Sequence, residues 1–258
     1  MNNVNKTLYI PLYGKAHVSR LGILLQDPKA ESIWAAEGFP LKGKAKSKWL
    51  AYNMAMRSGV FDKWTQEQIT ALPEAVILHV GCGLDSRCLR VNANNSLWFD
   101  VDFPEVITQR RLHFSETDTY RMIPSDIRDP NWLQEVPKGV PAIIVMEGVS
   151  MYLTVEELNH VVQMWTGHFP EVRLLMDSYT TFAAKATKYK NPIHAVGVTR
   201  VYGFDDPREV TALPFLREHS LTPEEDIRQL KPSEQRFFKT MFAGRAAHRI
   251  YRLYEYRT

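Results

Sequence analysis

From residue 76 onward, short apolar runs alternate with amphipathic stretches. The runs are VILHV, LWFDVD, RMIP, AIIVME and VRLLMD. Such alternation predicts βαβ units and a mostly parallel sheet, so the chain reads as α/β. Strands are expected over Val76–Val80, Leu97–Asp102, Arg121–Pro124, Ala142–Glu147 and Val172–Asp177. Ile143, Ile144 and Val145 form a continuous apolar run, as a central strand covered on both faces requires. At the C-terminus, His248–Tyr256 alternates side to side and predicts a further strand, antiparallel, closing the sheet. Helix starts fit between the runs. Asp102-Phe103-Pro104-Glu105 supplies an N-cap aspartate, a first-turn proline and an early acid. Thr154 and Glu157 form a capping box ahead of Leu158, Val161, Val162 and Trp165. The chain is expected to be one domain over 1–258. Residues 1–72 read as a helical cap, 73–258 as the α/β core, and the polar stretch near 180–207, with Pro192 and Gly197, as an insert or lid.

Several function classes are excluded by composition. With 45% apolar and 24% charged residues, the chain has the make-up of a soluble globular protein. No run of 18 apolar residues exists, so no transmembrane helix and no membrane partner are expected. The N-terminus lacks the pattern of a secretory signal, which reads as cytoplasmic. A net charge of +3 is too small to argue for nucleic acid. Lys42, Lys44, Lys46 and Lys48 alternate with small residues; they read as a solvated loop or helix start, the other reading being an anion-attracting rim. Cys82 and Cys88 have no zinc spacing and read as small buried hydrophobes, so no metal is expected.

In an open parallel sheet, ligands bind beyond the carboxyl ends of the strands. The first run ends in Gly81-Cys82-Gly83, and the others end in or near Asp102, Asp126, Glu147 and Asp177. One glycine loop and four carboxylates are thus expected on one edge. Gly81 and Gly83 allow close backbone approach to a ligand. A dinucleotide fingerprint wants a third glycine where Ser86 stands, which argues against NAD. Asp102 follows Gly81 by 21 residues, near the spacing at which an acid accepts from ribose hydroxyls. Asp100 reads as structural.

Leu50, Met54, Arg57, Phe61 and Trp64 recur at helical spacing, so Arg57 sits within an apolar stripe. A buried guanidinium needs an anion: either a buried acid of the chain or a ligand carboxylate or phosphate. A ligand matching these positions offers a carboxylate to Arg57, ribose hydroxyls to Asp102, an exocyclic amine to Asp126 and positive charge to Glu147. S-adenosylmethionine fits. The pyrophosphate of NAD suits so acidic a pocket less well, and no P-loop lysine pattern supports ATP.

The segments TLYIPLYGKA, VILHVGCGLDSR, WFDVDFPEVI, SDIRDPNW, VMEGVSMYL and YGFDDPREV, spread over about residues 7 to 215, resemble the leucine carboxyl methyltransferase family. The likeness is strongest to its bacterial branch, named after a tetracenomycin polyketide O-methyltransferase. The resemblance implies a Rossmann-like class I methyltransferase sheet with an N-terminal helical cap, and S-adenosylmethionine as cofactor. It implies that Arg57 holds the cofactor carboxylate, Gly81 and Gly83 form the cofactor loop, and Asp102 binds the ribose. Asp126 and Ile127 fall on the adenine side, Glu147 beside the methionine moiety, and Lys15 near the active site. His79 and Cys82 depart from common family choices.

The implied reaction is methyl transfer to an oxygen, carboxylate or hydroxyl, of a small-molecule and polyketide-like acceptor. Positioning is its main lever. A carboxylate acceptor needs no base; a hydroxyl needs one. Acceptor-side candidates are Tyr13, Lys15, Tyr152, Tyr179 and His194, with His17 a further possible base. Two other readings remain open from the residues: an NAD(P)-dependent oxidoreductase, and a catalytically inactive protein that binds S-adenosylmethionine.

Overall fold

The computed structural model describes residues 5–186 and 200–258. Seven strands form one sheet: β1 Val76–Val80, β2 Trp98–Asp102, β3 Tyr120–Pro124, β4 Ala142–Met146, β5 Val172–Tyr179, β6 Phe215–His219 and β7 Tyr251–Arg257. Their order is β3-β2-β1-β4-β5-β7-β6. The first five are parallel, and β7 runs antiparallel to both β5 and β6. The helices are α1 Tyr9–Arg20, α2 Pro28–Glu37, α3 Lys48–Ala71, α4 Arg87–Arg90, α5 Pro104–Arg110, α6 Val155–His168, α7 Thr181–Ala186, α8 Glu224–Ile227, α9 Pro232–Phe242 and α10 Arg245–His248.

Successive strand residues point to opposite faces, and both faces are covered. On one face Leu78, Ile144 and Leu174 pack with Val161 and Trp165 of α6. On the other, Ile77, Ile143, Val145 and Leu175 pack with Phe61, Trp64 and Ile69 of α3. The first residues form helices, and α1 and α2 bring Leu12, Ala16, Ala30 and Ile33 against Cys82 and Leu84 of the glycine loop. That contact seats the N-terminal helices over the carboxyl edge of β1. Among the described residues, no helix is long and apolar enough to cross a membrane.

The C-terminal strand differs from expectation. It begins at Tyr251, because His248 ends α10. It does not close the sheet but lies between β5 and β6. Strand β6 carries little apolar signal because Leu216, Arg217 and Glu218 are exposed on an edge, where packing demands little. The capping box of α6 is present: Glu157 N–H donates to Thr154 Oγ1 at 3.1 Å and Thr154 N–H to Glu157 Oε2 at 2.9 Å. Asp102 is not the N-cap of α5. Phe103 holds that position, and the Asp102 carboxylate turns toward the glycine loop instead. Asp100 is structural: wholly buried, it accepts from Trp98 Nε1 at 2.8 Å and pairs with Arg110 at 2.5 Å.

Candidate active site

A cleft of about 1460 Å³ opens beyond the carboxyl ends of the parallel strands. It is larger than a typical small-molecule pocket of roughly 300–1,000 Å³. Arg57, Gly81, Gly83 and Asp102 line it, as do Asp126, Ile127 and Glu147.

Two left-handed turns build the loop after β1. Gly81 has φ +68° and Gly83 φ +52°, a region that costs other residues energy. A Cβ on Gly81 would lie 2.1 Å from Val149 Cγ2, so only glycine fits beside the segment that follows β4. The turns aim the Gly83 N–H at Asp102 Oδ2, 2.8 Å away, while Phe103 N–H donates to Oδ1 at 2.8 Å. Burial pushes the Asp102 carboxyl up to about 6, and the two backbone donors offset this only in part. Asp126 is half-buried and clamped by Arg128, whose guanidinium and N–H hold it below the ordinary carboxylate range. Ile127, beside it, is buried, and its carbonyl accepts from Trp132 Nε1 at 3.4 Å.

The floor of the cleft is a dense ionic network. Arg57, 4% exposed, donates from Nε to Glu147 Oε1 at 3.0 Å. Its Nη1 lies 3.0 Å from Asp177 Oδ2 and donates to Tyr251 Oη at 2.8 Å. The buried-acid reading of Arg57 thus holds in this structure, although the same guanidinium borders the cleft. Glu147 also pairs with Arg87, which is fully buried and reaches Asp62 at 2.7 Å. Burial alone would raise the Glu147 carboxyl, but Lys15, Arg57 and Arg87 outweigh it and hold it at about 2. Asp85 accepts from Lys15 Nζ at 2.6 Å and from Arg90 Nη1 at 2.9 Å. These cations keep it ionised, well below its usual range, despite burial. Gly148 N–H donates to Asp177 Oδ1 at 2.7 Å, tying the end of β4 to β5.

Of the acceptor-side candidates, Lys15, Tyr152 and Tyr179 line the cleft. The Tyr152 hydroxyl donates to Thr7 Oγ1 at 3.2 Å, and burial pushes its phenol up to about 12. Tyr13 does not line it. Its ring packs on Trp34 and His17, and its hydroxyl donates to the Lys46 carbonyl at 3.4 Å. Helix geometry gives the reason: two residues apart on α1, Tyr13 and Lys15 differ by about 200° around the axis. Leu8, Pro11, Leu12 and Lys15 share the inward face. His17 packs on Tyr13 and Tyr52. His194 lies outside the described residues.

Sequence reasoning missed Asp85, Arg87 and Tyr251. The first two stand in GLDSR, where a charged pair straight after a glycine loop was a usable signal. Tyr251 offered none, because its partner Arg57 is 194 residues away. It also missed the far wall, where Met241, Phe242, Arg245, Arg249 and Ile250 line the cleft.

A family model described as leucine carboxyl methyltransferase matches residues 10–166. The tetracenomycin polyketide synthesis O-methyltransferase TcmP of Streptomyces glaucescens is 31% identical over 211 residues, covering 77% of each chain. An S-adenosyl-L-methionine-dependent methyltransferase, dpfgK, of Gibberella zeae is 30% identical over 190 residues, covering 67% of this chain and 64% of its own. Among solved structures, a DUF574 family protein from Streptomyces avermitilis superposes with a TM-score of 0.57 at 14% identity, covering 94% of this chain and 96% of its own. Magnesium protoporphyrin IX methyltransferase from Synechocystis, with bound S-adenosylhomocysteine, gives 0.53 at 11% identity, covering 89% and 94%. These two likenesses show a shared fold.

Proposed function

This chain belongs to the leucine carboxyl methyltransferase family and is an S-adenosylmethionine-dependent methyltransferase; we propose that its acceptor is an oxygen of a small molecule. The observation that carries the reading is the convergence of Asp102, the Gly81–Gly83 turns and the Arg57–Glu147 pair on one cleft. The residues fit this cofactor. Asp102 spends one lone pair of each oxygen on backbone donors and keeps the others for ribose hydroxyls. The missing Cβ of Gly81 lets Val149 pack against the loop and holds both segments at the cleft edge. The exocyclic amine of adenine would share the Asp126 carboxylate with Arg128, which already donates to both oxygens, with Ile127 beside the ring. Arg57 receives the methionine carboxylate, and Glu147 the ammonium. The ammonium and carboxylate add one charge of each sign to a neutral Arg57–Glu147 pair, and the sulfonium adds a positive charge to a cleft lined by Asp85, Asp102, Asp126 and Glu147.

When bound, S-adenosylmethionine supplies an electrophilic methyl on a sulfonium. The chain's own residues position and exclude water; α1 and the segment after β5 form the walls. His79, His219 and His248 line the cleft, but His79 is buried against Arg87 at 3.0 Å, and Glu255 and Glu218 hold the other two at 2.6 and 2.8 Å. Burial keeps Tyr152 protonated near neutral pH, so it serves as a donor, and Lys15 is pinned to Asp85. These features favour an acceptor oxygen that arrives ionised. The action of the Streptomyces glaucescens relative in tetracenomycin polyketide synthesis supports a polyketide-like acceptor. We read the activity as carried by one domain, with residues 1–72 as its cap.

Hydride transfer from NAD(P) is disfavoured. Ser86 donates to Asp27 at 2.6 Å, and the Asp85 carboxylate occupies the start of α4, where a pyrophosphate would meet repulsion. Isothermal titration of the purified chain tests the reading. Micromolar binding of S-adenosylmethionine and S-adenosylhomocysteine is expected, with none for NAD. Binding of NAD alone would overturn it.

The Asp102 carboxyl adds a pH prediction. It must be ionised to accept from ribose, so affinity for S-adenosylhomocysteine should fall as pH drops through about 6. Asp102→Ala should bind more weakly and lack that step; a wild-type affinity flat from pH 5 to 8 would contradict the role. The folding term has the opposite sign. A carboxyl raised in the folded state adds stability at low pH that is lost as pH rises through about 6.

A further inference from the structure

The two halves of the cleft differ in charge. Asp85, Asp102, Asp126 and Glu147 line the half over β1 to β4. The other half lies over the ends of β5, β7 and β6, which the antiparallel pairing brings to the same edge. Exposed apolar side chains stand on its wall: Phe182, Met241 and Ile250 line it while 57%, 54% and 44% exposed, beside Glu218, His219, Ser220 and Thr222. Arg245 and Arg249 line the same wall. The Arg249 N–H donates to the Arg245 carbonyl at 3.2 Å, so the two residues stand one helical turn apart. Like charges at that spacing repel.

Elsewhere in the cleft, Arg57 is neutralised by Glu147 and Asp177 and Arg128 by Asp126 and Glu157, while Arg252 donates to the His248 and Asp205 carbonyls. Arg245 and Arg249 have no carboxylate at ion-pair distance among the described residues. The Arg249 guanidinium lies 5.5 Å over the Phe182 ring. His248, between them in sequence, is taken by Glu218 at 2.8 Å. The sequence from 180 to 204 holds no Asp or Glu but does hold Lys185, Lys188, Lys190 and Arg200. From Tyr251, whose hydroxyl touches Arg57, the chain runs back through Ile250 to Arg249 and Arg245, which are exposed. Their charge therefore sits at the mouth, away from the buried Arg57–Glu147 pair.

We propose that this wall is the acceptor subsite, and that it selects an apolar-bodied molecule carrying an oxyanion remote from the methylated oxygen. Phe182, Met241 and Ile250 receive the body; Arg245 and Arg249 receive the anion through charge-assisted hydrogen bonds. The inference rests on the methyltransferase reading above. Both carboxylates and phosphates offer the required oxygens, and the test separates them.

In protein saturated with S-adenosylhomocysteine, 2-naphthoate, 2-naphthyl phosphate and 2-naphthamide are titrated by calorimetry. At least one anion is expected to bind about tenfold or more tightly than the neutral amide, as charged hydrogen bonds allow. The anion that leads identifies the group preferred. Arg245→Gln/Arg249→Gln should reduce the preference to under about twofold. Phe182→Ala should weaken all three probes alike. No preference in the wild type, or a preference that survives the double substitution, overturns the proposal. The S-adenosylhomocysteine titration of each protein checks its fold. If the wild type fails to bind S-adenosylhomocysteine, the methyltransferase reading fails instead.

Discussion

Arg57→Ala is expected to lower stability by about 3–5 kcal/mol, the range for removing one partner of a buried ion pair. The loss follows from what stays behind. Glu147 and Asp177 are both buried; Asp177 loses its arginine and Glu147 one of its two. Tyr251 loses its guanidinium donor as well. Arg87 still holds Glu147, so the network is weakened rather than abolished. The same substitution should weaken S-adenosylhomocysteine by about ten- to a hundredfold, since a charged hydrogen-bond partner is worth about 1.5–3 kcal/mol. Urea unfolding and calorimetry on one preparation read both effects. Arg57→Lys keeps the charge without the planar fork and should fall between, which guards against a variant that does not fold. The stability contribution of Glu147 is present above its ordinary value and is lost as pH falls toward about 2. The deficit of Arg57→Ala should therefore narrow in acid, where the stranded carboxylates take up protons. Unchanged cofactor affinity in a folded Arg57→Ala protein would remove Arg57 from the site.

Gly81→Ala is expected to be strongly destabilising for a change of one methyl group. The left-handed backbone costs a β-carbon roughly 1–2 kcal/mol. Overpacking adds about 1–3 kcal/mol, because the new carbon would stand 2.1 Å from Val149 Cγ2 and a short valine has little room to give. Cofactor affinity should fall with it, since the displaced loop carries the Gly83 N–H that orients Asp102. Gly81→Ala/Val149→Ala should recover the packing part and leave the backbone part. Gly83→Ala should be milder, as its nearest neighbour, Leu8 Cβ, is 3.3 Å away. Equal stability losses for Gly81→Ala and Gly83→Ala would mean that the approach of Val149 does not matter.

Much of the core was legible because its signals are local. Continuous apolar runs mark β1 and β4, since a strand covered on both faces has no polar side to show. The capping box at Thr154 and Glu157 is a three-residue pattern and needs no partner from elsewhere. The edge strand β6 and the start of β7 were less legible. An exposed edge demands no apolar residues, and α10 ends within the stretch that alternates like a strand. The candidate site divides in the same way. Glycines and acids at strand ends stand out one by one, but Asp102 is oriented by Gly83 from across β1 and β2 rather than by capping α5.

From the sequence alone came the α/β class, four of the parallel strands to within two residues at each end and β1 to the residue, the glycine loop and the acids that follow the strands. These depend on periodicity and on residue types a few positions apart. Only the tertiary structure decided that Arg57 meets Glu147, Asp177 and Tyr251, that Tyr13 turns away while Lys15 turns in, and that β7 lies between β5 and β6. Those choices join residues that are far apart in the chain. They are set by which surfaces pack together, and a buried charge accepts whichever counter-charge the packing brings within reach.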